Sequence, residues 1–406
     1  MSPLQKGGDW ILYCGTLASL VGLFLFDINV ATKIFTITSI IAIIISLTRW
    51  KSVVSQASLL LLPGIILFIG LSDLIWLEIF KPNNGEFAGT YRSYLYSGKM
   101  LLFGAFIILA FSLMKVRVYK IILLSLMALL VACAGYAYMQ QIPRITLAFL
   151  LSTTTAYAVT LLGVTICGYL LSQQPKGYLL GFFISFIVTL YILVSTGTRA
   201  AIISFPVIVF LMLIAKFAKN IKSLIKVSAT FFLIVLCLLF AMKNVVINRA
   251  NDVMRDIESY QNNNSKTSIG ARFAMVEAGI LTAKYNFLGQ SIEERALNIK
   301  SLNTHYKRLD GAVIFINVHL HNELVEALSL KGIFGVTMVI ILYVTLFWSV
   351  IRQKNITLFG ITLALLLFGL SDVLLYARDI PIVMTLCIAL SILLNKKNYD
   401  DSKVIS

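Results

Sequence analysis

The sequence predicts an all-α integral membrane protein with about 12 transmembrane helices and one large polar loop between helices 9 and 10. Three observations support this prediction. Of the 406 residues, 59% are hydrophobic and only 13% are charged, whereas soluble proteins usually carry about 25% charged residues. The mean hydropathy is +0.90. Long apolar runs recur along the whole chain, and such runs need lipid as their solvent.

The apolar runs account for the predicted helices. Most of them approach the ~20 residues that cross the hydrocarbon core, and the shorter ones need interfacial flanks or a thin bilayer. The first run begins near Trp10 and is interpreted as a retained span, not as a cleaved signal peptide. The runs cover residues 10–26, 31–47, 57–80, 98–114, 119–139, 148–171, 178–195, 200–215, 225–246, 328–351, 356–375 and 380–394.

Basic residues indicate how the chain is oriented in the membrane. Lys and Arg cluster in alternate loops, as in the four lysines between positions 216 and 226, and cytoplasmic loops carry such an excess. This rule places both termini inside and the segment 247–327 outside. It also explains the net charge of +16, so we predict no nucleic-acid partner.

The outer segment divides the predicted bundle. Residues 1–246 hold about nine helices, residues 247–327 form the large outer loop, and residues 328–406 hold helices 10–12 and an inner tail. Within the loop, the stretches 271–285 and 291–302 have apolar residues at helical spacing, which predicts short amphipathic helices over the membrane face. All five cysteines lie in apolar runs, so we expect neither a disulfide-stapled outer domain nor a cysteine metal site.

All three histidines of the chain, His305, His319 and His321, lie in the last part of the outer loop. The His-x-His pair could bind a metal ion such as Zn²⁺ or Cu²⁺, but no third ligand at helical spacing accompanies it and no HExxH motif is present. A structural role is a second possibility. We favour a general base or an acceptor-orienting group, because imidazole titrates near neutral pH and can take a proton from a hydroxyl.

Two arginines lie where helices are predicted to start on the outer side. Arg199 is in STGTRAA, with Ser195, Thr196 and Thr198 as candidate helix N-cap residues, and Arg272 is in SIGARFAMVE. Helix N-termini attract anions and arginine is the preferred bidentate partner of phosphate, so both arginines are candidates for binding a diphosphate. The alternatives are an interfacial anchor for Arg199 and a solvated loop charge for Arg272. No nucleotide-binding motif is present, so the predicted donor is pre-activated and membrane-borne.

Four ordered motifs resemble those of the bacterial O-antigen ligases. They are TGTRA around Arg199, GARFAMVE around Arg272, NVHLHNELVEALSLKGIFG around His321, and GLSDVLLYARDIPI around Asp372 and Arg378. The resemblance covers nearly the whole chain, including the number of spans and the position of the loop. It implies a transmembrane helical bundle with a helical periplasmic loop, located in the bacterial inner membrane.

The resemblance also implies a glycosyltransferase that completes lipopolysaccharide at the periplasmic face. Such an enzyme transfers O-antigen polysaccharide from undecaprenyl diphosphate to a sugar hydroxyl of lipid A–core, and we expect inversion and no metal ion, ATP or other cofactor. The implied partners are the lipid-linked donor, the lipid A–core acceptor and membrane lipids. A polymerase or a chain-length regulator is a candidate protein partner.

The essential residues of the family fall on His321, Arg272 and Arg199. We expect both arginines to bind the diphosphate, and His321 to orient or deprotonate the acceptor hydroxyl. Asp372 is expected to orient His321 or to pair with Arg378, which is itself a candidate for substrate binding. The remaining predicted substrate-binding residues are His319, Asn322 and Glu323.

An O-antigen polymerase is the closest alternative, since it uses the same donor and shares the His-Asn-Glu-Leu pattern before a span. A transporter or flippase is a remote alternative, because transporters usually show internal repeats, broken helices and polar residues at the membrane midplane. The tetrapeptide GLSD occurs twice in the chain, once ending at Asp73 and once ending at Asp372. Four residues are too few to establish a repeat, but an Asp within a span is costly unless it is paired.

Overall fold

The computed structural model describes residues 3–54, 60–82, 85–114, 119–140, 142, 144–241, 243–262 and 264–403. Within these residues the regular structure is helical and no strand occurs. Ten of the described helices are long and apolar enough to cross a membrane, and two shorter apolar helices cover Ile356–Gly369 and Asp379–Leu394. The predicted class, an all-α protein that crosses the membrane several times, is confirmed.

Most helices before residue 247 match the predicted apolar runs, but the helix Ala88–Leu113 starts ahead of the run 98–114, and the short helix Trp50–Val54 lies between two runs. The helices are α1 Pro3–Val21, α2 Ile28–Thr48, α3 Trp50–Val54, α4 Leu61–Phe80, α5 Ala88–Leu113, α6 Tyr119–Gln140, α7 Ser152–Gln173, α8 Tyr178–Thr196, α9 Arg199–Phe217 and α10 Ile221–Ala241. A π-helical turn, Gly22–Phe26, joins the first two. Asp27 then starts α2, because its side chain accepts hydrogen bonds from the amides of Asn29 and Val30.

The segment 247–327, which the sequence predicts to form the outer loop, is helical and leads directly into the last membrane helices. The elements are α11 Lys243–Gln261, α12 Ser268–Ala283, α13 Ile292–His305, a 3-10 turn Lys307–Leu309, α14 Asp310–Ile314, α15 Glu323–Gln353, α16 Ile356–Gly369 and α17 Asp379–Lys403. Thr267 caps α12 by accepting a hydrogen bond from the amide of Gly270, and Ser291 caps α13 by accepting from the amide of Glu294. Polar caps of this kind let short helices start outside the bundle.

Helix α7 lies at the centre of the bundle. Of its most apolar stretch, 94% is buried, and it packs against α8, α9, α16 and α17. Glycines permit close approach: Gly163 faces Thr189 of α8, and Gly168 faces Thr357 of α16. Small residues at helix contacts are typical of membrane proteins, where lipid offers no hydrophobic driving force between helices. The same helix carries Tyr157, which reaches the candidate site.

Helix α15 is interrupted at Gly332, where φ is +62° and ψ is −155°. The connection between α12 and α13 supplies hydrogen-bond partners for the backbone groups that the interruption leaves unpaired within the helix. The amide of Gln290 donates to the carbonyl of Leu330 over 2.9 Å, and the amide of Ile333 donates to the carbonyl of Phe287 over 3.0 Å. A Cβ atom at Gly332 would lie 2.1 Å from the Phe287 carbonyl oxygen, so the contact requires glycine. The outer helices are therefore bonded to a membrane-spanning helix.

Candidate active site

A tight turn ahead of α15 carries His319 and His321. His321 has a φ of +51°, a left-handed backbone that is uncommon for residues other than glycine. Asn322 starts α15, since its side-chain oxygen accepts a hydrogen bond from the amide of Val325 over 3.1 Å. Its side-chain nitrogen donates to the carbonyl of Leu370 over 3.1 Å. The turn is thus tied both to α15 and to the segment after α16.

Asp372 lies beside both histidines, in the segment between α16 and α17. Its Oδ1 atom is 3.1 Å from Nδ1 of His321 and 3.5 Å from Nε2 of His319. Its Oδ2 accepts a hydrogen bond from the hydroxyl of Tyr157 over 3.0 Å, and its Oδ1 accepts one from the amide of Val373 over 2.9 Å. The sequence offers no third ligand at helical spacing beside the histidine pair. The fold brings Asp372 to it from a distant segment, and Asp372 is one of the groups that were expected to act on His321.

The surroundings of Asp372 keep its carboxyl group ionised. Burial acts to raise its pKa, but the hydrogen bond from His321, the charges of both histidines and the amide of Val373 outweigh burial and lower the pKa to about 2. Because an ionised carboxylate only accepts hydrogen bonds, Nδ1 of the neutral His321 ring carries the proton and Nε2 is left as an acceptor. The side chain of His321 is 22% exposed. This arrangement suits a general base.

His319 is placed more deeply, with 12% of its side chain exposed. Burial lowers its pKa, although the Asp372 carboxylate acts in the opposite direction, so the ring is neutral at pH 7. It contacts the rings of His321 and Tyr376, at centroid separations of 4.4 and 4.7 Å. The ligand atoms of His319, His321 and Asp372 lie within 4.8 Å of one another. Two imidazoles and a carboxylate can ligate a transition metal, so these three groups could hold one.

Arg272 lies in the second turn of α12, which packs against α15. Its charge acts on Tyr157, and the hydroxyl of Tyr157 donates to Asp372. The side chain of Arg272 is half-buried. The charge of Arg272 therefore lies near the tyrosine that donates a hydrogen bond to Asp372.

Arg199 is the first residue of α9 and faces α11. Its guanidinium lies 3.6 Å from the carboxylate of Asp252 and 3.8 Å from that of Asp256, and 30% of its side chain is exposed. Thr198 occupies the N-cap position, but its side chain makes no capping hydrogen bond, contrary to the prediction, and donates to the carbonyl of Ser152 over 3.3 Å. The contacts of Arg199 are separate from those of the histidine turn, and α11, which packs on α12, connects the two regions.

Glu323 has partners within the protein that the sequence did not indicate. It is 5% exposed, and its Oε2 accepts hydrogen bonds from the amides of Leu374 and Leu375 over 2.6 and 3.1 Å. These amides belong to the second and third residues after Asp372. Glu323 therefore holds in place the segment between α16 and α17, which carries Asp372.

Arg378 points away from the carboxylate of Asp372. Its guanidinium donates to the side-chain oxygen of Asn29 over 2.8 Å and lies over the ring of Tyr96, 5.3 Å from the centroid. Of the two partners predicted for Asp372, the structure brings His321 to it. Arg378 joins α17 to the start of α2 instead.

Comparison with known proteins places these residues in a family. A family model described as O-Antigen ligase matches residues 184–340, a stretch that includes Arg199, Arg272 and His321. The chain is also 35% identical over 378 residues to the O-antigen ligase of Escherichia coli (strain K12), an alignment that covers 92% of this chain and 90% of that protein. This chain belongs to the O-antigen ligase family. The resemblance inferred from four motifs is confirmed, and the protein is a multi-pass membrane enzyme of lipopolysaccharide biosynthesis.

For this O-antigen ligase family member, sequence reasoning missed Tyr157, which lies outside the stretch that the family model matches. A tyrosine within the apolar run of α7 carries no local signal of function. Only its contact with Asp372 across the fold reveals it. The GLSD motif was the available signal for Asp372, because an acid near a membrane span needs a partner.

Proposed function

We propose that this protein transfers O-antigen polysaccharide from undecaprenyl diphosphate to a sugar hydroxyl of lipid A–core. The observation that carries the proposal is the pair of His321 and Asp372, which supplies an oriented base. We place the reaction at the periplasmic face of the bacterial inner membrane, with both termini in the cytoplasm, because the basic loops favour that orientation. A polymerase or a chain-length regulator is a candidate protein partner.

The transfer is proposed to occur in one step. Nε2 of His321 accepts the proton of the acceptor hydroxyl while the hydroxyl oxygen attacks the anomeric carbon of the donor. The bond from that carbon to the diphosphate oxygen breaks, and undecaprenyl diphosphate leaves with the electron pair. Attack opposite the leaving group inverts the anomeric centre. Asp372 stabilises the imidazolium that forms, as a carboxylate does behind the histidine of a hydrolase triad.

Arg199 and Arg272 are proposed to bind the diphosphate and to stabilise the charge that develops as it leaves. The contacts of Arg199 with Asp252 and Asp256, at 3.6 and 3.8 Å, are longer than the ~2.7–2.9 Å of a charge-assisted hydrogen bond. A diphosphate oxygen can therefore replace these carboxylates. The packing of α12, which carries Arg272, against α15 supports a leaving-group site on an element adjacent to the base.

The other predicted substrate-binding residues receive different roles. Asn322 and Glu323 hold the histidine turn and the segment after α16 through backbone groups. His319 packs against His321. Arg378 is half-buried and is still a candidate for contact with the substrates.

We propose that the reaction needs no metal ion. Oδ1 of Asp372 already accepts hydrogen bonds from His321 and from the amide of Val373. A metal at Nδ1 of His321 would have to displace the proton that this bond uses, since imidazole binds metals only through an unprotonated nitrogen. The hydrogen bond to Asp372 therefore favours a role for His321 as a base over a role as a metal ligand.

An O-antigen polymerase would use the same donor and a lipid-linked glycan as acceptor. The similarity to a ligase over most of both chains favours the ligase. A gene deletion separates the two activities. Loss of the ligase leaves lipid-linked polymer but no capped lipopolysaccharide, whereas loss of the polymerase leaves lipopolysaccharide capped with a single repeat.

The decisive experiment is ligation by purified protein with purified donor and acceptor. His321→Ala should slow the transfer by about 100-fold or more, the range that general bases contribute. His305→Ala is the matched control, because His305 ends α13, away from the cluster around Asp372, and it should retain the wild-type rate. A wild-type rate for His321→Ala would overturn the proposal.

A further inference from the structure

A buried ionic network lies behind the histidine turn, and the proposed reaction does not use it. Glu326 is 2% exposed and Arg295 is 1% exposed. Oε2 of Glu326 accepts hydrogen bonds from Nη1 of Arg295 over 2.9 Å and from the amide of Leu320 over 2.8 Å. Its Oε1 accepts one from the hydroxyl of Tyr94. Leu320 stands between the two histidines, so the carboxylate holds the turn by its backbone.

The network joins the membrane bundle to the outer helices. Tyr94 comes from α5, Arg295 from α13 and Glu326 from the first turn of α15. The ammonium of Lys331 lies 5.1 Å from the centroid of the Tyr94 ring and pairs with the carboxylate of Asp73 on α4. Side chains of α5 and α13 therefore hold the carboxylate of Glu326, α4 joins the network through Lys331, and the carboxylate in turn accepts from the histidine turn.

Stability alone is a poor explanation for this arrangement. Apolar residues of similar volume often replace a buried ion pair without loss of stability, because burial removes both charges from water. The histidine turn does need a restraint, since His321 has a left-handed backbone that disfavours residues with a side chain. Catalytic geometry is also demanding, and a displacement of about 1 Å can cost about 100-fold in rate.

We propose that Glu326 is a positioning residue for the transfer. It accepts the hydrogen bond of the Leu320 amide and so holds the turn in the conformation that directs His321 at Asp372. Arg295 and Tyr94 hold Glu326 in turn. The inference rests on the proposed role of His321 as the base, and none of the three supporting side chains is assigned a contact with substrate.

Two matched double variants test the proposal. Arg295→Met with Glu326→Gln removes both charges but keeps a side-chain oxygen for the amide of Leu320. Arg295→Met with Glu326→Leu removes the same charges at similar volume and leaves no acceptor. Neither variant leaves a buried charge without its partner, which is the costly change at such a site. A difference between the two double variants therefore measures the effect of losing the hydrogen-bond acceptor at position 326.

The three histidines of the protein allow a readout that is independent of activity. Labelling with ¹⁵N-histidine gives Nδ1 and Nε2 signals from only three rings, and His→Gln variants assign them. We expect the His321 signal to shift in the Leu double variant and to match wild type in the Gln double variant. We also expect kcat to fall at least about tenfold in the Leu variant, with the donor KM within about twofold, because geometry is lost rather than binding.

The outcomes separate the positioning role from the proposed function. A His321 signal that is unchanged in both double variants, or shifted equally in both, would overturn the positioning role, because the acceptor would then not hold the turn. A shift confined to the Leu variant with unchanged kcat would support the positioning role and contradict His321 as the base.

A pair of conservative variants tests the same proposal if the double variants fail to fold. Tyr94→Phe removes one hydrogen bond to Glu326 and keeps the ring. Tyr91→Phe, one turn earlier on α5, removes a hydroxyl that donates to Glu293 and serves as the control. The His321 signal should shift in Tyr94→Phe and stay unchanged in Tyr91→Phe. Equal spectra for the two variants would overturn the inference.

Discussion

Nδ1 of His321 lies 3.1 Å from Oδ1 of Asp372, although the two residues come from different segments of the chain, 51 positions apart. The carboxylate determines which ring nitrogen carries the proton and how the ring is oriented. The proton-accepting nitrogen is then directed away from the carboxylate. The chemistry proposed for the site depends on this pair more than on any other contact.

Asp372→Asn should slow the transfer because the amide can donate to Nδ1 of His321 and so favour the wrong tautomer. We expect kcat to fall by about 100-fold or more, with little change in either KM. Steady-state kinetics with purified donor and acceptor measure this effect. Asp310→Asn is the control, since Asp310 pairs with Lys266 on the outer segment. Equal kcat values for the two variants would contradict the pairing role.

Acid should remove the contributions of two groups to the stability of the fold. Burial lowers the pKa of His319 below its ordinary 6.5, so the unfolded chain binds this proton more tightly and stability falls as the pH drops below 6.5. The pKa of Asp372 is about 2 instead of 3.8, so its contribution is present above pH 3.8 and is lost as the pH falls towards 2.

Thermal unfolding in detergent as a function of pH measures these two contributions. Relative to wild type, His319→Gln should become more stable as the pH falls from 7 to 5, and Asp372→Asn should become more stable as the pH falls below 4. A constant difference in stability between His319→Gln and wild type from pH 7 to 5 would show that protonation of His319 makes no contribution.

Removing the acids that face Arg199 should strengthen donor binding. If Asp252 and Asp256 compete with the diphosphate, the variant with both Asp252→Asn and Asp256→Asn should have a donor KM lower by about two- to fivefold, the effect of part-exposed ion pairs worth up to about 1 kcal/mol. Glu258→Gln on the same helix removes one exposed charge and should leave the donor KM unchanged. A raised KM in the double variant would show that the acids position Arg199 instead.

Substituting the arginines by lysine tests bidentate recognition of the diphosphate. Lysine keeps the charge but loses the planar pair of donors. Arg272→Lys should therefore lower kcat/KM for the donor by about tenfold or more, the value of a charge-assisted hydrogen bond, and Arg199→Lys should act in the same direction. Full activity in both variants would contradict diphosphate binding by these residues.

Chelation tests whether the group of His319, His321 and Asp372 acts as a metal site. Treatment of the purified protein with EDTA should leave the ligation rate unchanged, because the proposed base works through a hydrogen bond. Activity that disappears with EDTA and returns with Zn²⁺ would identify these three residues as metal ligands.

The sequence was sufficient for the membrane helices and for part of the site. Apolar runs of spanning length depend only on local composition, so α4 through α10 appear where hydropathy places them. The histidines and Arg272 could be predicted as site residues because each occurs in a short motif within the polar segment 247–327. A local motif is sufficient when the residues that it contains carry the chemistry.

The supporting residues could not be predicted in the same way. Tyr157 on α7 and Arg295 on α13 lie far from the histidine turn in the chain, and no spacing along the chain reports their meeting near it. Asp372 was expected beside His321 only because its motif resembles one of the O-antigen ligases. Glu326 is part of the motif that contains His321, but its function depends on the buried arginine across the interface. Contacts between distant segments follow from packing, which a single sequence does not display.

The hydrogen bonds around Gly332 restrict how large substrates can enter. Raising α12 and α13 from the bundle would leave the carbonyl of Leu330 and the amide of Ile333 unpaired within a membrane-spanning helix, where such groups are costly. The outer helices are therefore unsuited to act as a hinged cover. The lipid-linked glycan of the proposed reaction would then have to approach along the plane of the bilayer, and the product would depart by diffusing in the same plane.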